Sequence, residues 1–74
     1  MIRELDPVAL LSNISDYGLE AGDIGTVVMV HDGGRGFEVE FATLGGDTIA
    51  VVTLPATSVR PLGKREIAHA REVA

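Results

Sequence analysis

The sequence predicts an all-β domain: a small barrel of five short strands followed by a short C-terminal tail. Three observations predict this class. The chain has 74 residues, enough for one domain with a modest core. Valine, isoleucine and leucine dominate its apolar residues, and the first two favour strands. Glycine pairs at Gly33-Gly34 and Gly45-Gly46 separate the apolar runs and predict tight reversals between strands.

The first strand is predicted at about residues 7 to 11. Pro7 fits its first position because proline has no backbone N–H to offer a ladder. From Ser12 to Gly22, turn-forming residues surround isolated larger side chains, which are Ile14, Tyr17 and Leu19. This stretch is therefore predicted to be a long loop pinned by a few buried side chains.

The second strand is predicted at about residues 24 to 31. Apolar residues occur on both of its sides, with Val28 and Val30 on one and Val27 and Met29 on the other, which predicts that neighbours cover both faces. The preceding turn contains Asp23, whose carboxylate is expected to accept a local backbone hydrogen bond. A phosphate-binding loop is the weaker alternative, because the lysine spacing and the following helix of such loops are missing.

The third strand, at about residues 36 to 42, shows the clearest alternation in the chain. Its apolar residues are predicted to point inward and its acidic residues outward. The inward set is Phe37, Val39 and Phe41, and the outward set is Glu38 and Glu40. The fourth strand follows at about residues 48 to 54, where β-branched residues are dense.

Pro55 ends the fourth strand, and residues 55–58 are long enough for one helical turn before a short fifth strand at 59–62. The strand order, with its long first loop and three-strand meander, is the connection pattern of an SH3-like barrel. Residues 1–62 are predicted to form this barrel and residues 63–74 the tail. Helical spacing in the tail allows a short amphipathic helix, which needs its own barrel or another chain to lie on. The residues with that spacing are Ile67, Ala70 and Ala74.

The formal net charge is −5 and is unevenly distributed. Residues 1–58 contain nine acidic and two basic side chains, whereas the last residues are mildly basic. An acidic body argues against a general nucleic-acid binder, which needs Lys and Arg for phosphates. Two interpretations of the basic cluster stay open: it contacts RNA, or it pairs with the acidic barrel wall and docks the tail. The cluster is Arg60, Lys64, Arg65 and Arg71.

No set of residues predicts catalysis or a metal or cofactor site. There is no cysteine, and no serine lies in a nucleophile motif. Glu38 and Glu40 share a strand face but are expected to be solvated charges. Of the two histidines, His31 is expected at the hairpin end of its strand and His69 on the tail. With no apolar run at the amino terminus and none of 18 residues elsewhere, a cytoplasmic, soluble protein without an enzymatic activity is predicted.

Four stretches carry a resemblance to a family of small, largely uncharacterised bacterial proteins described as a domain of unknown function. They are Gly18–Val28, Phe37–Phe41, Ala50–Leu54 and Arg65–His69. This resemblance covers nearly the whole chain and implies an SH3-like fold without an established activity. The element Gly22–Val28 is also similar, locally, to the KOW motifs of ribosomal and transcription proteins and to the small barrel of the nitrile hydratase beta subunit.

The leading prediction is a non-catalytic protein-interaction module, in the form of a homo-oligomer or of an accessory, antitoxin-like protein that binds a co-produced partner. The alternative is a KOW-like RNA-binding protein that uses the basic cluster. The predicted partner-binding residues are Tyr17, Arg60, Lys64, Arg65, Ile67, His69 and Arg71.

Overall fold

A computed structural model describes residues 1–73 of the chain. Its elements are β1 (Pro7–Leu10), β2 (Ile24–His31), β3 (Gly36–Ala42), β4 (Thr48–Pro55) and β5 (Val59–Pro61), with 3₁₀ turns at Ser15–Tyr17 and Ala56–Ser58. The strands form one sheet in the order β4-β3-β2-β1-β5, and every neighbouring pair is antiparallel. The predicted all-β, five-stranded fold is confirmed.

The sheet curls, although no ladder joins its two edge strands within residues 1–73. In a flat sheet, four strand spacings would hold β4 and β5 about 19 Å apart. Only the second 3₁₀ turn connects Pro55 to Val59, and at about 2 Å of rise per residue it spans roughly 8 Å. The sheet must therefore bend around its inner face, in the manner of a barrel that is not closed by hydrogen bonds.

The inner face holds the hydrophobic core. Val8, Val27, Val39 and Phe41 are its largest fully buried side chains, and they come from three adjacent strands. Burying one such side chain contributes about 1.5–3 kcal/mol relative to leaving it exposed. Along β3, burial alternates residue by residue, so the predicted inward and outward sets of this strand are confirmed.

In β2 the alternation changes phase at a β-bulge. Val27 pairs with Val39 and Met29 with Glu38, so Val28 is an extra residue on its strand. Val27 faces inward before the bulge, and Val30 faces inward after it. The side chains of Val28 and Met29 between them are 39% and 46% exposed. The prediction that neighbours cover both faces of β2 is wrong, because the apolar residues on its two sides result from this phase change.

Gly25 lies where β2 passes very close to β3. A Cβ atom at this position would lie 2.5 Å from Cγ1 of Val39 and 2.9 Å from the carbonyl oxygen of Glu40. Atoms do not approach so closely without a shift of the backbone. The glycine is therefore required by the close contact between the two strands.

β1 is buried on both of its sides. Val8 and Leu10 face the core, and Ala9 on the opposite side is only 1% exposed. Ala9 lines a groove whose far wall is the chain segment after β5, formed by residues 62–64 and 66–69. The sheet thus brings the C-terminal tail, described over residues 63–73, next to its central region.

Candidate interaction surface

The tail leaves β5 through a turn rather than a helix. The amide of Glu66 donates to the carbonyl of Gly63 at 3.3 Å, and the carboxylate of Glu66 accepts the amide of Gly63 at 2.7 Å. No helix forms over residues 63–73, so the helix allowed by the spacing of Ile67 and Ala70 is absent there; Ala74 lies outside the described residues. A helix this short has little stability of its own. Side-chain contacts hold the tail instead.

The first of these contacts joins Arg60 of β5 to Glu66. The two guanidinium Nη atoms lie 2.9 and 2.8 Å from the two carboxylate oxygens, a bidentate arrangement that fixes orientation as well as charge. Donation by Arg60, with the additional amide of Gly63, lowers the pKa of the Glu66 carboxyl to about 2. The turn at the start of the tail is therefore a charge-dependent structure.

The second contact joins Arg71 to the loop between β1 and β2. Its Nε and Nη2 atoms donate to the two carboxylate oxygens of Asp23 at 2.8 and 2.6 Å. Nη2 also donates to the carbonyl of Gly18 at 2.9 Å, and Nη1 lies 3.6 Å from Glu20. Every guanidinium nitrogen thus faces an acceptor on this one loop.

The loop is built to hold Asp23 in place. Its carboxylate accepts the amide of Glu20 at 2.8 Å, the local hydrogen bond that the sequence predicted. Donation by Arg71 is the main cause that lowers the pKa of the Asp23 carboxyl, and partial burial opposes it. Asp23 is therefore an ionised anchor for the tail at neutral pH.

The structure brings some of the predicted partner-binding residues together and separates others. Arg60, Lys64, Ile67 and His69 line the groove over Ala9. The side chain of Ile67 is 87% exposed, so this groove does not bury it. The remaining three predicted residues do not line that groove: Arg71 borders a neighbouring groove, Arg65 lies in the tail turn and Tyr17 in the first 3₁₀ turn.

The basic cluster is divided by the ion pairs. Arg60 and Arg71 are engaged by acidic residues of the same chain. Lys64 and Arg65 are exposed and form no ion pair with any residue from 1 to 73. Two of the four cations thus remain available to an external anion.

The acidic residues on the outer face of β3 have partners too. Glu38 Oε2 lies 3.0 Å from Nε2 of His31, and Glu40 accepts the hydroxyl of Thr48 at 2.7 Å. In the described part of the chain, no three His, Asp or Glu residues cluster as metal ligands would.

The sequence analysis did not single out the outer edge of β4. The amide of Ala56 donates to the carbonyl of Arg35 at 2.8 Å, and this bond continues the β3–β4 ladder. Because antiparallel ladders alternate, every second residue of β4 turns its N–H and C=O away from β3. These outward residues are Val51, Thr53 and Pro55. At Ile49 the β3–β4 register shifts, between the pairs Phe41–Ala50 and Ala42–Thr48.

β4 carries no charge to protect its edge, but it has an outward proline and a register shift. None of its eight residues is charged, and the Val51 side chain is 50% exposed. Prolines and bulges also protect edges, so the open stretch of β4 is Val51 and Thr53, between the register shift and Pro55. The uncharged run Thr48–Pro55 is visible in the sequence. Its position at the edge is not visible there, because the strand order decides it.

The opposite edge is protected. β5 has only three residues. The amide of Leu11 donates to the carbonyl of Ser58 at 2.9 Å. Because hydrogen-bonded pairs alternate along an antiparallel ladder, the backbone of Arg60 is bonded to β1 and the backbone of Pro61 faces outward. Pro61 offers no N–H to a further strand. Within residues 1–73, β4 therefore presents the more open of the two sheet edges, at Val51 and Thr53.

Comparisons with known proteins give one match. Residues 4–61 match the family model of DUF4926, a domain of unknown function. No curated protein and no solved structure matches the chain. None of the helical segments in residues 1–73 is long and apolar enough to cross a bilayer.

Proposed function

This chain belongs to the DUF4926 family of domains of unknown function, and we propose that it is a non-catalytic protein-interaction module that takes up a strand of another polypeptide along β4. The observation that carries the proposal is the uncharged edge strand β4, whose outward residues Val51 and Thr53 face no other strand within residues 1–73. Addition of a strand to such an edge is a recurrent way for proteins to bind peptides, with main-chain hydrogen bonds supplying affinity.

The surroundings of β4 favour this edge over other surfaces. Its outward residues offer donors and acceptors in an extended conformation that β3 already holds, so little ordering is needed on binding. Val51 adds an apolar contact on the outer face. The acidic charge of the chain would hasten encounter with a basic partner, as the predicted antitoxin-like role requires.

A proline substitution tests the proposal. Val51→Pro removes one outward N–H and spares the β3–β4 hydrogen bonds, since residue 51 does not donate to β3. Val51→Thr is the matched control, because it keeps both the N–H and a β-branched side chain. We expect tagged wild type and Val51→Thr to retain the same stoichiometric protein, which Val51→Pro loses while it keeps its circular dichroism spectrum. Equal retention by all three would place the binding surface elsewhere.

RNA binding through the tail is the second candidate, and the exposed Lys64 and Arg65 favour it. Phosphate contacts weaken steeply as salt rises. Fluorescence anisotropy with single-stranded RNA at low salt should then show binding that the double variant Lys64→Ala/Arg65→Ala loses. Absence of binding by the wild type, or unchanged affinity of the double variant, would eliminate this candidate.

A further inference from the structure

We propose that the loop between β1 and β2 is a binding site for an arginine side chain of another polypeptide, and that Arg71 occupies this site within the chain until such a partner displaces it. The loop is a different surface from the β4 edge, so the site is additional to the proposed function. Its support is the geometry around the bound guanidinium, the rigidity of the loop and the weak attachment of the tail.

The seated guanidinium shows which side chain the loop accepts. The carboxylate of Asp23 receives two hydrogen bonds, from Nε of Arg71 at 2.8 Å and from Nη2 at 2.6 Å. The carbonyl of Gly18 accepts a further bond from Nη2 at 2.9 Å. The planar fork of arginine satisfies a carboxylate through two donors at once, whereas lysine presents a single ammonium. The loop therefore selects arginine over lysine.

The loop keeps its shape through contacts that do not involve the tail. The amide of Glu20 donates to the Asp23 carboxylate at 2.8 Å. The amide of Gly22 donates to the carbonyl of Leu10 at 2.8 Å, and the amide of Leu10 donates to the carbonyl of Asp23 at 2.9 Å. Leu19 packs into the core and is 3% exposed. The acceptors are therefore in place before an arginine arrives, which lowers the cost of binding.

The present occupant is attached much more weakly than the loop itself. All residues from 63 to 73 are exposed, and Arg71 and the pair Arg60–Glu66 hold them. Because exposed ion pairs add little to stability, Arg71 can leave the loop without disturbing the core. The family match at residues 4–61 includes the loop but not Arg71. The tail thus acts as a tethered ligand of the matched domain.

Charge favours a cationic partner as the competing occupant. Residues 12–23 include Asp16, Glu20 and Asp23 and contain no lysine or arginine. Within residues 1–73, Arg71 is the cation that pairs with Glu20 and Asp23. When Arg71 leaves, an arginine-bearing segment of a partner restores this pairing and is attracted to the acidic loop at long range.

A peptide competition tests the proposal. The probe is a synthetic peptide with the sequence of residues 67–73 and blocked ends, and the control peptide has lysine in place of its arginine. Added to the full-length Arg71→Ala variant, the arginine peptide should shift the amide resonances of Gly18 and Asp23. It should bind about tenfold more tightly than the lysine peptide, which loses a charge-assisted hydrogen bond. Wild type should bind it several-fold more weakly, because its own Arg71 competes.

A second substitution locates the peptide on the loop. Added to Arg71→Ala, Asp23→Asn should abolish peptide binding, whereas Asp16→Asn, the matched control, should leave it unchanged. The loop should persist in the Asp23→Asn variant because the asparagine oxygen still accepts the amide of Glu20.

Three results would each overturn the inference: no peptide binding by Arg71→Ala, equal affinity for the lysine peptide, or unchanged binding after Asp23→Asn. The two peptides are compared on an unaltered loop, so this comparison decides the question even if Asp23→Asn fails to fold. Val51→Pro in the Arg71→Ala background should bind the arginine peptide as its parent does. The two proposals can therefore fail separately.

Discussion

The sheet and the tail are held by different forces. Nine buried apolar residues form one cluster inside the sheet, whereas every residue from 63 to 73 is exposed. The tail is fixed by the pairs Arg60–Glu66 and Arg71–Asp23. Exclusion of water thus stabilises one region and charge the other, so the two should respond to different perturbations.

A charge placed inside the sheet should have the largest effect. Val39 is fully buried at the centre of β3, and Val39→Asp would place a carboxylate there without a partner. Such a change exceeds what a marginal 74-residue domain tolerates, so we expect the cooperative thermal transition to disappear. The neighbouring outward change, Glu38→Gln, should alter stability by less than about 1 kcal/mol. Equal stability of the two variants would show that the inward and outward assignment is wrong.

A single methyl group between β2 and β3 should have the next largest effect. Gly25→Ala forces its Cβ against Val39 and the backbone of Glu40, and overpacking of this kind typically costs about 1–3 kcal/mol. Gly45→Ala is the control, because the nearest atom to its Cβ would be 3.8 Å away. Denaturant titration should show a clear loss for the first variant only; a comparable midpoint for both would mean that β2 can move away from β3.

Removal of the tail anchor should have a small effect on the sheet and a large local one. Arg71→Ala removes all the contacts that this side chain makes with the loop. Because exposed ion pairs contribute about 0–1 kcal/mol, the melting temperature should change little. The amide resonances of residues 67–73 should move towards random-coil positions, and those of Gly18 and Asp23 should shift. Arg65→Ala should leave all of these resonances in place, and identical spectra for the two variants would contradict the anchoring role.

Protonation of Glu66 at acid pH should release the start of the tail, and of these four perturbations it should change the free energy of unfolding least. A carboxyl whose pKa is depressed on folding stabilises the fold above its unfolded pKa, and this contribution is lost as the pH falls through the folded pKa. For Glu66, that window runs from its ordinary value near 4.5 down to about 2. Arg60→Ala should return the titration of Glu66 towards its ordinary pKa in a carboxyl NMR experiment. An unchanged titration midpoint would mean that Arg60 does not hold Glu66 in solution.

The sequence analysis succeeded where local pattern decides the structure. The alternation in β3 and the hydrogen bond to Asp23 both arise between residues close together in the chain, and both were predicted. β2 was misinterpreted because a bulge at Val28 imitates the pattern of a strand covered on both faces. Its detection requires the register against β3, which no single strand encodes.

Long-range pairing explains the remaining differences. Spacing alone favoured a helix in the tail, but Arg71 binds Asp23, 48 residues earlier in the chain. The sequence shows the four cations of the basic cluster and 11 acidic residues without showing which of them form pairs. The open edge of β4 was equally hidden, because a strand becomes an edge only through the order of the whole sheet.

The ladder between β1 and β5 determines the order in which the molecule assembles. Short reversals join β2, β3 and β4, whereas Val8 must meet Pro61 near the other end of the chain. Closing so long a loop is slower than forming adjacent hairpins. β5 is therefore expected to join the sheet last and to leave it first. Its departure would leave the tail attached only to the loop between β1 and β2, through Arg71, while β4 remains paired with β3. A partly folded chain would therefore already offer its β4 edge to a partner.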